Sequence, residues 1–182
     1  DEDKWGKIYS IYKQLKQRQD LVETVLPLEL EGERIDFPTV DYSKKIIAAK
    51  ENAAESHYEK GTDLLRSTDK SDYREAYYEF KRALDYIPAY KDARSQMENA
   101  KEMGTIYTMI TAENQTRLNF NDDFYDEIFS FGVGGLEDDW VKYLIKPYGD
   151  NFEYDYNIVG VIEEVDISPE KTSKDRTTQK RK

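Results

Sequence analysis

The sequence predicts a mainly α protein: antiparallel helical hairpins over residues 1–104, then a smaller α+β segment over 105–182 that reads as an incomplete β-domain. Three observations carry this. Apolar residues recur at three- and four-residue steps through most of the first hundred positions. Pro27, Gly32, Pro38, Pro88 and Gly104 punctuate that pattern at helix-length intervals. After Gly104 the composition turns β-branched and aromatic, with strand-like alternation.

Residues 3–25 predict a first helix, with Trp5, Ile8, Tyr9, Tyr12, Leu15 and Val22 on one stripe. The stretch LPLELEGERIDFPTVD breaks it. Its alternation of Leu28, Leu30 and Ile35 with acids predicts an extended segment lying across the helices. Asp41 or Ser43 caps a second helix running to about Ser67. The stripe of that helix (Ile46/Ile47, Ala49, Ala53/Ala54, Tyr58, Gly61, Leu64/Leu65) is small in the middle, which permits close approach of a neighbour. STDKSD predicts a polar turn. Ser71 or Asp72 then caps a third helix from about Tyr73 to Ile87, stopped by Pro88 because proline has no amide to donate. A fourth helix turns Tyr90, Ala93, Met97 and Ala100 inward and ends at Gly104.

In the second segment, TIYTMITAEN predicts a strand, and DDFYDEIFSF and LEDDWVKYLI two short helices around a GVGG hinge. FEYDYNIVGVIEEVDIS predicts one long strand or a pair bent at Gly160. So few strands leave sheet edges open, and the natural chain is expected to continue past Lys182. The absence of an initial Met predicts a processed or trimmed product.

Composition narrows the function classes. Hydrophobic residues make up 38% and charged residues 36%, and mean hydropathy is −0.90. This suits thin, solvated helical layers, while the 13% aromatic share supplies enough burial to argue against disorder. A net charge of −11 argues against nucleic acid, whose phosphates need a face rich in Lys and Arg. The basic run from Lys171 to Lys182 reads as a solvated tail or a polar strand end rather than a membrane or nucleic-acid arm. Without cysteine there is no disulfide frame and no thiolate metal site.

The spacing Ala76-x3-Phe80-x2-Ala83-x4-Pro88 resembles the second helix of a tetratricopeptide repeat. Gly61 takes the small position of the first helix and Leu64 a large apolar one. His57 and Lys60 stand where the repeat usually has an aromatic and a leucine, so this copy is divergent. More broadly, WGKIYSIYKQL, DYSKKIIAAKENAAESHYEKGTDLL, AYYEFKRALDYIPAYKDA and VGVIEEVDISPE resemble uncharacterised Gram-negative bacterial lipoproteins with tetratricopeptide-like helices. The resemblance implies an outer-membrane or periplasmic location, through a lipid anchor outside this sequence, and a β-rich part after the helices.

The chemistry-bearing residues yield no reaction. His57 is the only histidine, and no Ser, Cys or Asp stands at a suggestive spacing, so it reads as a packing residue; no metal or cofactor is expected. Asn119, Asn121 and Asp123 alternate as in a calcium loop, but Phe124 and Ser130 occupy the positions that need Gly and Glu. The candidate binding surface is instead the groove implied by the repeat resemblance: Glu55, Tyr58, Thr62, Leu65 and Arg66, an aromatic, an acid and an arginine able to hold an extended peptide. The alternative filling of that groove is the N-terminal helix burying Tyr58 and Leu65. The expected function is a non-enzymatic, protein-binding scaffold of the cell envelope. Two rivals are a glycan-binding lipoprotein using exposed tyrosines and Trp140, and a hydrolase with two carboxylates about 5–10 Å apart.

Overall fold

A computed structural model describes residues 3–35, 37–133, 138–145 and 152–166, without the side chains of 129–133. The chain divides into two compact units, Asp1–Ile106 and Tyr107–Lys182. Among the described residues the first carries four helices and one small hairpin, and the second mixes helix and sheet, so the protein is mainly α with an α+β part.

The first unit is built on α1 (Lys4–Glu23), α2 (Ser43–Leu64), α3 (Lys70–Tyr86) and α4 (Ala93–Gly104). Packing runs α1 on α2, α2 on α3 and α3 on α4. Cross-helix contacts give the directions. Tyr12 meets Tyr42 while Asp3 meets His57. Lys60 meets Glu75 while His57 meets Glu79. Arg74 donates to the Gly104 carbonyl while Lys101 lies over Tyr77. In each pair the later residues of one helix face the earlier residues of the next, so all three neighbours are antiparallel. Ala76, Phe80, Ala93 and Ala100 form the enclosed core, with Tyr58, Leu64, Leu65 and Met97 packed against it.

Local signals explain most boundaries. Asp3 accepts from the Gly6 amide and starts α1. The third helix begins earlier than expected because Asp69, not Ser71 or Asp72, is the cap: its carboxylate accepts the Ser71 amide at 2.8 Å. Asp41 accepts the Ser43 amide at 2.9 Å ahead of α2, which ends at Leu64 rather than Ser67. Ile87 and Pro88 stop α3. Gly104 is the last residue of α4, buried, and Thr105 already has extended backbone.

The linker between α1 and α2 departs from expectation. Its alternation forms an antiparallel hairpin, β1 (Leu28–Leu30) with β2 (Glu33–Ile35). Glu31 and Gly32 turn it, both at positive φ (53° and 85°), as a tight hairpin turn requires. Leu30 is 65% exposed, so the alternation encodes strand pairing rather than a segment clamped on the helices. The Gln19 side chain brackets the Val40 backbone, accepting its N–H and donating to its carbonyl.

In the second unit β3 (Ile106–Asn114), α5 (Asp122–Val133), β4 (Val141–Leu144) and β5 (Tyr156–Ile162) follow in order. The sheet order is β4-β3-β5, with β3 and β5 parallel and Ile110 opposite Ile158. One expectation needs correction: the segment read as a helix at LEDDWVKYLI holds strand β4, because Val141 and Tyr143 find a ladder beside β3. Of the two readings around Gly160, the structure has the single continuous strand. Gly134 and Gly135 of the expected hinge, and the basic run 171–182, lie outside the described residues.

Candidate functional site

The second helix is the scaffold of the site. Its first turns bury Ala49, Ala53 and Ala54, and small side chains there let the neighbouring backbones come close. Gly61 continues that row under the Phe80 ring: a Cβ at Gly61 would stand 3.0 Å from ring carbons of Phe80. The five predicted groove residues begin on that same face, where Tyr58 and Leu65 pack against the core, and continue round to its flank with Glu55, Thr62 and Arg66.

Three of them, Tyr58, Thr62 and Arg66, line a cleft of about 300 Å³ together with Glu59 and Asp63. Tyr58 is held by neighbours on the sides away from the cleft. Its ring meets Phe80 and Tyr90 edge-on at 5.7 and 5.8 Å, and the Lys91 ammonium lies 4.6 Å from its centroid. The Tyr58 hydroxyl donates to Asp92 at 2.5 Å, and that bond, with burial second, raises its pKa. Thr62 donates to the Tyr58 carbonyl at 2.9 Å. Arg66 is 76% exposed and pairs with Asp63 at 2.8 Å within its own helix, a surface pairing that a ligand carboxylate can compete with.

The other two are committed elsewhere. Glu55 receives Lys91 Nζ at 2.6 and 2.8 Å and the Tyr90 hydroxyl. Lys91 first, and Tyr90 second, hold its carboxyl below the ordinary glutamate range. Leu65 is half-buried against the core. The groups that cover Tyr58 are therefore Phe80 and the turn at 90–92 between α3 and α4, while the cleft beside it stays open.

A second cleft, of about 470 Å³, lies on the other side of Glu59 and Asp63 and includes Ser56, Lys60, Leu64 and Asp72. Glu59 and Asp63 thus form an acidic ridge between two depressions. The ridge escaped the sequence analysis, although it is the i+4 continuation of Glu55 along the helix.

The largest omission is Glu79. A glutamate on a helix of high charge density reads as solvated, yet Glu79 is only 1% exposed. Its Oε2 lies 2.6 Å from His57 Nδ1, and its Oε1 takes Lys60 at 3.1 Å and Arg82 at 2.7 Å. Burial pushes its carboxyl up, and the bonds from His57 and Lys60 more than reverse this, leaving it below the ordinary value. His57 and Lys60 are therefore, with Arg82, the partners of one buried carboxylate.

The remaining candidates also have places. Asn121 caps α5, its side chain accepting the Phe124 amide at 3.1 Å, and Asp122 and Asp123 fill the first turn, where the helix dipole favours acids. Trp140, expected as an exposed stacking surface for glycans, is only 9% exposed; its apolar indole goes into the second unit rather than to solvent. Among the described residues no group of three His, Asp or Glu side chains is placed to hold a metal, and no helix is long and apolar enough to cross a membrane. No protein-family model, curated relative or solved structure matches the chain.

Proposed function

We propose that the chain is a non-enzymatic, tetratricopeptide-like scaffold of the bacterial cell envelope, and that it holds an extended segment of a partner protein along α2. The observation that carries this reading is the open cleft lined by Tyr58, Thr62 and Arg66, with Tyr58 anchored against the core at one edge and Arg66 exposed at the other. A packed aromatic beside an exposed guanidinium and a threonine supplies packing, a charge-assisted bond and an adaptable hydrogen bond. The repeat-like character is supported by the seat of Phe80 over Gly61 and by the fully enclosed Ala76 and Ala83. No nucleic acid, metal or cofactor enters the proposal. The envelope location, by a lipid anchor outside this sequence, rests on the resemblance to Gram-negative lipoproteins alone.

The test is selection of binding peptides from a displayed random library on the whole chain, followed by affinity measurement on Thr62→Ala and Arg66→Ala. Both substitutions spare the core. Selected peptides should lose about fivefold or more in affinity on each variant, equivalent to about 1 kcal/mol per removed contact. Peptides that bind both variants as tightly as the parent place the binding surface elsewhere, and a failure to enrich any peptide removes the support for a protein-binding groove.

A further inference from the structure

The junction of α1 with the α2–α3 hairpin holds a constellation that the proposed groove does not use. His57 is buried, its side chain 7% exposed, and each ring nitrogen points at a carboxylate from a different element. Nδ1 lies 2.6 Å from Glu79 Oε2 on α3. Nε2 lies 3.6 Å from Asp3 Oδ1, the residue whose carboxylate also starts α1 by accepting the Gly6 amide. Tyr86 stacks on the imidazole at 5.8 Å and meets Tyr9 of α1 edge-on at 5.7 Å. Gly6 leaves the room for this: a Cβ there would stand 2.2 Å from the Asp3 carboxylate and 2.3 Å from the Tyr86 hydroxyl.

We propose that His57 is a proton-dependent latch that fastens α1 to the α2–α3 hairpin, closed when the imidazole carries its second proton and loosened when it does not. With one proton, the ring donates from Nδ1 to Glu79 and turns the bare lone pair of Nε2 toward the Asp3 carboxylate, so two acceptors face each other. The second proton places an N–H there and converts the contact into an ion pair. The surrounding charge agrees. The ring itself faces Asp3 at the start of α1 and Glu79 and Tyr86 of α3; behind these, Tyr9 of α1 meets Tyr86, and Lys60 of α2 and Arg82 of α3 pair with Glu79. Glu75 pairs with Lys60, and Asp85 adds negative charge near Tyr86. Among these groups the carboxylates Asp3, Glu75, Glu79 and Asp85 face the cations Lys60 and Arg82, and an imidazolium adds positive charge between Asp3 and Glu79. Histidine is the side chain whose charge ordinarily changes near neutrality. The hold on α1 is therefore present while the imidazole carries both protons and lost, as pH rises, when it gives up the second.

The experiment is hydrogen exchange on the whole chain at pH 5.5 and 8.0, corrected for the intrinsic pH dependence of exchange. Residues 5–15 of α1 are followed against residues 74–84 of α3 as internal reference. Protection of α1 relative to α3 should fall about two- to fivefold at the higher pH, the range set by a half-exposed ion pair. Asp3→Asn keeps an N-capping side chain and removes the charge, so it should abolish that difference while α1 still forms. It should also lower the midpoint of the His57 ring resonance in an NMR titration. Three results overturn the latch: no pH dependence of α1 in the parent chain, an undiminished dependence in Asp3→Asn, or an unmoved His57 midpoint. None of these readouts involves the cleft at Tyr58.

Discussion

Gly61→Ala tests the central packing claim. In an exposed helix this change should stabilise by about 1 kcal/mol, because alanine loses less backbone freedom than glycine and has the best helix propensity. At Gly61 the new methyl would stand 3.0 Å from ring carbons of Phe80, and Phe80 is fully enclosed and cannot retreat into solvent. Overpacking of this kind costs about 1–3 kcal/mol. The two effects leave a net destabilisation of about 0–2 kcal/mol. Phe80→Leu opens space at the same spot, so in that background the methyl should fit and Gly61→Ala should stabilise by about 1 kcal/mol. The predicted coupling between the sites is then about 1–3 kcal/mol. Urea unfolding of the four proteins, followed by far-UV circular dichroism, closes the cycle. A gain of about 1 kcal/mol from Gly61→Ala in both backgrounds would refute the seat of Phe80 on Gly61.

Other perturbations probe the polar contacts. Glu79→Ala strands the positive partners of a buried carboxylate and should destabilise by about 3–5 kcal/mol; adding His57→Phe and Lys60→Leu, which replace those polar partners with apolar side chains, should recover most of that loss in the same urea assay. Acidification should act through Glu79 and Glu55. Their carboxyls are held below the ordinary range, so their stabilisation is complete above about pH 4.3 and lost as pH falls through the depressed folded values. The urea midpoint should therefore drop between pH 6 and pH 3.5, and less steeply in Glu55→Gln. Burial, with the bond to Glu55 second, pushes the Tyr90 hydroxyl up to about 12. Its contribution is present below about pH 10 and lost as pH rises through that higher value; Glu55→Gln should move the tyrosinate absorbance transition back toward about 10.

Periodicity and punctuation determined a great deal. The three- and four-residue apolar steps, the small row Ala49–Ala53–Gly61 and the Ala76/Phe80/Ala83/Pro88 spacing give the helices of the first unit, since each burial choice there is a local one that composition enforces. Strands β3 and β5 were legible for the same reason: β-branched and aromatic runs have few other uses. What the sequence could not contain was partnership. Strand β4 is a strand because β3 lies beside it, and the Leu28–Ile35 alternation is a hairpin because its halves pair with each other. Asp69 outcompeted Ser71 and Asp72 as a cap because its carboxylate is the one that meets a free amide. Glu55 and Leu65 belong by spacing to the same helix face as Tyr58, yet the turn at 90–92 engages the first and the core takes the second. Glu79 makes the distinction plainest. One-dimensional pattern treats a charge as a vote for solvent; only the folded chain brings His57, Lys60 and Arg82 to the same carboxylate and makes its burial affordable, because desolvation is a local loss and compensation arrives from across the helices.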